Sequence, residues 1–197
     1  MSGAFPDIMD AKAQARRAAL AARDAADAAT RARLAARLAV EGARIAATRP
    51  RGEVVALFYS MRTEPDLRPL ADALRAAGRD LCLPVMQGRA APLIFRRWTP
   101  GDALVAARFG VSEPGPDAPL VSPSILFTPL AGFDRAGYRI GYGGGFYDRT
   151  LAQSRAARDI LAVGVAFSAQ ELPRVPREPT DARLDMILTE TETLEMD

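Results

Sequence analysis

Four glycines fall within five positions, Gly141, Gly143, Gly144 and Gly145, in the run RIGYGGGFYDR that spans 139–149. The preceding ILFTPLAGFD (125–134) reads as a buried strand followed by a loop, and the following FYDRTLAQSRAARD (146–159) reads as a helix. A strand, a glycine-rich loop and a helix N-terminus in that order bring backbone N–H groups together at the positive end of a helix, where an anion is favoured. Arg139 and Arg149 flank the loop with forked donors suited to phosphate. Asp148 is the odd member, and a magnesium ion held by a carboxylate and phosphate oxygens accounts for it. The competing reading is a flexible turn with an acid in the first helical turn; two arginines and an aspartate weigh against it. The run is neither a Walker loop, since GxxxxGK[ST] is absent, nor a dinucleotide fingerprint, since Phe146 stands where a third glycine belongs.

The other segments supply layers for this loop. EVVALF (53–58), DLCLPV (80–85), LIFRRW (93–98), ILAVGVAF (160–167) and MILTE (186–190) read as strands. After the turn Tyr59–Glu64, a helix is expected with Pro65 in its first turn, Leu67, Leu70, Ala71 and Leu74 inward, and Gly78 as its stop. That β-α-β unit predicts a parallel sheet. Pro114, Pro116, Pro119 and Pro123 predict a loop, as do the three prolines of 168–185. Residues 1–9 are expected to fray. Asp10 to Ala47 is rich in alanine and arginine and free of proline, which predicts one helix or two with a break between Asp24 and Thr30. Leu34, Leu38 and Ile45 share one face of it, with Leu20 two heptads before Leu34. Lys12, Arg16 and Arg23 share one side, beside Arg17; alone, such charges read as a solvated face. The expectation is a single three-layer α/β domain over 1–197, with a mainly parallel sheet, helices on both faces and an N-terminal helical segment (10–47) packed on it.

Composition removes several chemistries. The chain has no histidine, so Ser-His-Asp catalysis and histidine-based zinc sites are excluded. Its one cysteine, Cys82, lies in an apolar strand and reads as structural, and no disulfide within the chain is possible. A net charge of +2 with no basic block interleaved with aromatics argues against nucleic acid. No apolar run is long enough to span a membrane, and no signal-peptide pattern opens the chain. A cytoplasmic monomer acting on small molecules is expected.

The run GYGGGFYDR preceded by PLAGFDRAGYRI closely resembles the signature of the 5-formyltetrahydrofolate cyclo-ligase family. KAQAR (12–16), YSMRTEPDLRPL (59–70), FGVSEP (109–114) and PREPTDARLDMILTE (176–190) extend the resemblance over most of the chain. The resemblance implies ATP- and Mg²⁺-dependent cyclisation of 5-formyltetrahydrofolate to 5,10-methenyltetrahydrofolate with release of ADP and phosphate, on an architecture like that of NagB, RpiA and the CoA-transferases. It nominates Lys12 and Arg16 for the ATP phosphates, together with Arg139 and the loop Gly141, Tyr142, Gly143, Gly144, Gly145, Phe146 and Tyr147. It places Glu64 and Tyr59 at the folate, beside the Gly143–Phe146 stretch, and Asp148 and Asp181 at the metal. Lys12, Arg139 and Asp148 are the residues expected to act in catalysis. Phe109 or Trp98 would line a pterin pocket, although core burial explains each equally well. One departure is Thr180, where the family usually has histidine. Three alternatives stand beside this reading: another ATP-dependent phosphoryl-transfer enzyme or ligase, a non-catalytic nucleotide- or folate-binding regulator, and a sugar-phosphate isomerase or CoA-transferase relative.

Overall fold

The computed structural model describes residues 7–107 and 110–196. The expectation that the first residues fray falls largely on residues outside that range, as does Phe109. What is described begins in helix: α1 (Ile8–Asp24) is capped by Asp7, whose carboxylate accepts from Met9 N–H at 3.2 Å. The helical segment does break, at Ala25, and Asp27 caps α2 (Ala28–Arg37) by accepting from Thr30 N–H at 2.7 Å. A π-turn (Leu38–Gly42) and α3 (Ala43–Ala47) then continue it. Leu34, Leu38 and Ile45 are fully buried, as their spacing requires.

The central sheet has eight strands in the order β12-β11-β10-β7-β1-β2-β3-β6. They are β1 (Val55–Ala56), β2 (Leu81–Met86), β3 (Leu93–Arg97), β6 (Leu120–Val121), β7 (Ile125–Pro129), β10 (Leu161–Val165), β11 (Met186–Leu188) and β12 (Thr193–Glu195). β2, β1, β7, β10 and β11 run parallel; β3 and β12 run against them, and β6, paired antiparallel with β3, runs with them again at the edge. Alternation sorts the side chains by face. Leu57, Leu83, Phe127 and Val165 meet Leu34, Leu38, Ile45 and helix α4 (Arg68–Ala76) on one side. Ala56, Cys82, Leu126 and Ala162 meet Leu151 of α5 (Phe146–Ala157) on the other. The sheet is therefore covered on both faces, as parallel sheets generally are. Cys82 is fully buried and burial pushes its thiol pKa up, which suits packing and not nucleophilic attack.

Several boundaries differ from expectation. α4 starts at Arg68 with Pro69 in its first turn, while Pro65 stays in the preceding loop. The 53–58 run contributes only Val55–Ala56 to the ladder. The stretch before the glycine loop folds into a hairpin, β8 (Gly132–Phe133) with β9 (Arg139–Ile140), and the stretch rich in prolines carries β5 (Ser112–Pro114), paired with β4 (Leu104–Ala106). MILTE is not the last strand, because β12 returns antiparallel beside it. Gly132 lets α1 lie directly on the β8–β9 hairpin: a Cβ there would stand 2.8 Å from that of Ala19. This contact brings the charged side of α1 to the glycine loop.

Candidate functional site

The loop 141–145 leaves β9 and enters α5 through Gly145, which occupies the N-cap in the left-handed region at φ +63°. Gly143 is also left-handed, at φ +95°. A side chain at either position is strained by roughly 1–2 kcal/mol. Gly144 is different, since a Cβ there would meet the Phe146 ring at 2.6 Å, so what crowds that position is the protein itself. Gly141 has open space around it. Arg149 braces the loop from below by donating to Gly144 O at 2.7 Å and Arg89 O at 3.0 Å, and its guanidinium lies 5.3 Å from the centre of the Phe146 ring.

Cations and carboxylates from distant segments converge beside this loop. Arg16 on α1 donates to Gly141 O at 2.7 Å. Lys12, one turn earlier, meets Asp181 at 2.6 Å and Glu178 at 2.8 Å. Burial alone would depress the Lys12 pKa, but the hydrogen bonds and charges of these two acids outweigh it and hold the ammonium above its ordinary value. Arg139 is deeply buried; its guanidinium donates to Asp148 at 2.8 Å and to Ala182 O at 2.6 Å. Burial depresses its pKa, opposed chiefly by the charge of Asp148. Asp148 Oδ1 also accepts from Ala182 N–H at 3.1 Å, so the two aspartates are linked through residues 181 and 182. Arg17 lies on the exposed side of α1.

A cavity of about 600 Å³ opens on the other side of the loop. It lies at the carboxyl ends of β1, β2 and β7, where the strand order turns back around β1, the usual crevice of an open parallel sheet. Tyr59, Pro84, Met86, Leu93, Phe146 and Tyr147 form much of its wall. Its polar groups come from three segments. Arg23 donates to Tyr142 Oη at 2.6 Å, and Tyr142 in turn donates to Glu64. The second oxygen of Glu64 accepts from Met61 N–H at 2.9 Å. Burial first, and then the Glu64 charge, pushes the Tyr142 phenol well above its usual range. Glu113 on β5 completes the wall, 6% exposed and accepting from Met86 N–H at 3.0 Å.

The model of the 5-formyltetrahydrofolate cyclo-ligase family matches residues 8–190 of this chain. The chain belongs to that family. It is 38% identical over 146 residues to the 5-formyltetrahydrofolate cyclo-ligase of Escherichia coli K12, covering 72% of this chain and 80% of that relative. The cyclo-ligase of Haemophilus influenzae is 36% identical over 139 residues, covering 68% and 74% of the two chains. Among solved structures, the 5,10-methenyltetrahydrofolate synthetase of Aquifex aeolicus superposes with a TM-score of 0.78 at 27% identity, over 94% of this chain and 92% of that one. The synthetase of Mycoplasma pneumoniae, at 21% identity, shares the fold, with a TM-score of 0.72 over 91% and 98%.

Within this cyclo-ligase fold the nominated residues fall into two groups. Lys12, Arg16 and Asp181 gather on the loop side, Tyr59, Glu64, Tyr142, Phe146 and Tyr147 on the cavity side, and Arg139 and Asp148 belong to both, bonded to the loop-side network and lining the cavity. Asp181 pairs with Lys12, while its neighbours in sequence are engaged elsewhere: Arg177 lies over the Tyr138 ring, and Arg183 donates to Ala136 O. Trp98 lines a neighbouring cavity of about 800 Å³ that meets the first at Phe58, Tyr59 and Glu64. Glu113 and Glu178 were missed: Glu113 sits in a quoted motif but only burial reveals it, and Glu178 becomes visible only through Lys12. Among the described residues no three metal-ligating side chains cluster. Asp148 and Asp181 nevertheless fit a hard divalent ion. Their hydrogen bonds end on one oxygen each, Oδ1 of Asp148 and Oδ2 of Asp181, and Mg²⁺ takes its other ligands from phosphate and water.

Proposed function

We propose that this chain cyclises 5-formyltetrahydrofolate to 5,10-methenyltetrahydrofolate at the expense of ATP, releasing ADP and phosphate. The observation that carries this reading is the shared wall. Gly144, Gly145, Phe146, Tyr147 and Asp148 line the cavity, and the same loop carries the helix N-terminus and the cations. A phosphoryl donor on one side and a folate on the other would meet across it.

The formyl oxygen attacks the γ-phosphorus of ATP and ADP leaves. The resulting carbon, still bonded to N5 and now O-phosphorylated, is electrophilic; N10 adds to it, the N10 proton passes to water, and phosphate departs as the ring closes. The substrate oxygen is the nucleophile, so the absence of histidine and the burial of Cys82 cost nothing. The protein's work is alignment and neutralisation of charge. Lys12 and Arg16 would face the phosphates, and Gly143–Gly145 would supply N–H donors. Arg139 would hold Asp148 in place. Asp148 and Asp181 would hold magnesium, which supplies charge neutralisation at the phosphate oxygens. Glu64 and Tyr59 would contact the folate.

The reading extends to a single domain resembling NagB, RpiA and the CoA-transferases, acting as a cytoplasmic monomer on small molecules. Among the described residues no helix is long and apolar enough to cross a membrane. Protein, Mg-ATP and 5-formyltetrahydrofolate are mixed and the near-UV absorbance of the methenyl product is followed. Product should appear only with all three present, and equal conversion without ATP would overturn the reading.

A further inference from the structure

Glu113 differs from every other acid of the site. It is 6% exposed, lines the cavity, and takes one hydrogen bond, from Met86 N–H to Oε1 at 3.0 Å. Among the described residues it has no ion-pair partner, whereas Lys12 and Arg139 pair with the loop-side acids, and Glu64 has Arg23 within 4.0 Å. Burial pushes the Glu113 pKa up. Its one bonded neighbour, Met86, is apolar, as are Leu93 and Val111 of the same cavity; Arg23, Arg62 and Arg139 also line that cavity, but none of them pairs with Glu113. A buried carboxyl left without a counter-charge is expensive unless donors meet it. The Met86 N–H takes one lone pair of Oε1; the other lone pair of Oε1 and both of Oε2 remain to accept from whatever fills the cavity.

The geometry points to Glu113 as the residue that reads the heterocycle of the folate, accepting from its 2-amino-4-oxo edge. On that edge a ring N–H and an exocyclic amino group stand side by side, and a carboxylate offers a matching pair of acceptors. The flat ring would pack on the apolar wall while the paired donors replace the missing counter-charge. Glu64, already engaged by Tyr142, Met61 and Arg23, is then free to act elsewhere on the substrate. The inference rests on the folate reading above. The competing role is purely architectural: Glu113 would only tie β5 to the end of β2 through Met86.

Calorimetric binding without ATP separates the two, using 5-formyltetrahydrofolate and its 2-desamino analogue. Glu113→Gln keeps an amide oxygen for Met86 N–H but turns donors toward the ligand's donors. Wild type should bind the analogue at least about tenfold more weakly than the parent. Glu113→Gln should weaken the parent about 10- to 100-fold, bring the two ligands close together in affinity, and leave Tm and the KM for ATP unchanged. Equal affinity of wild type for both ligands overturns the assignment without recourse to any variant. So does a Glu113→Gln protein that still separates the ligands as wild type does, or one whose lowered Tm accompanies equal losses for both. Wild type that binds folate yet forms no methenyl product sinks the proposed reaction and leaves the Glu113 test standing; wild type that binds no folate ends both.

Discussion

On the loop side, Lys12 is met by Glu178 and Asp181, and Arg139 by Asp148, while Arg16 donates to the backbone oxygen of Gly141. On the cavity side Glu64 is balanced by Arg23 through Tyr142, Glu113 takes a single backbone donor, and Asp148 faces both regions. Both regions border the same glycine loop, yet they hold charge differently. The loop side keeps Lys12 and Arg139 oriented and neutralised, so under the proposed function an arriving triphosphate would exchange partners with their acids. The cavity side leaves Glu113 without an ion-pair partner, so a ligand's donors that reach it would count for more than in water.

The sharpest way to break this comparison is to strip one buried cation. Arg139→Ala leaves Asp148 beside Ala182 with no counter-charge, and should lower folding stability by about 3 kcal/mol in a denaturant titration. An unchanged midpoint would mean that the loop side does not depend on paired charge. Lys12→Ala should lower kcat/KM for ATP by about 10²–10³, with the folate KM little changed. The stability that the Lys12 pair contributes should be intact below the ordinary lysine value of 10.5 and lost only as pH rises further, through the raised folded value. Comparison of wild type with Lys12→Met in alkaline unfolding reads this directly. Asp148→Asn and Asp181→Asn should each raise the Mg²⁺ needed for half-maximal turnover about tenfold, the double variant less than additively; two unaltered titrations would remove the shared ion. The smallest effect is on backbone: Gly143→Ala should lose about 1 kcal/mol of stability and Gly141→Ala almost none, because only Gly143 is left-handed.

The layers were readable because period and propensity agree in the long elements. Leu34, Leu38 and Ile45 keep one face, and the strand-helix-strand unit from β1 to β2 demands a parallel pair. Pairing of short segments was not readable. Ser112–Pro114 lies among prolines, and its partner Leu104–Ala106 is only three residues long, so no alternation shows. The glycine loop stands out because four glycines fall between a strand and a helix, whereas Lys12 is nominated only by the resemblance that KAQAR carries and alone reads as a solvated face. Glu113 carries no local mark; its meaning comes from burial beside Met86. Likewise nothing near Asp181 in sequence points to Lys12, 169 residues away.

That separation has a consequence for the birth of the protein. Lys12 leaves the ribosome 166 residues before Glu178 and 169 before Asp181. At about 5–20 residues per second, the helix carrying Lys12 waits on the order of ten seconds before its partners emerge. Until then the nascent chain can build most of its layers, but the contact that closes the loop side cannot form. Polypeptides released before Glu178 would leave a basic helix without its acids.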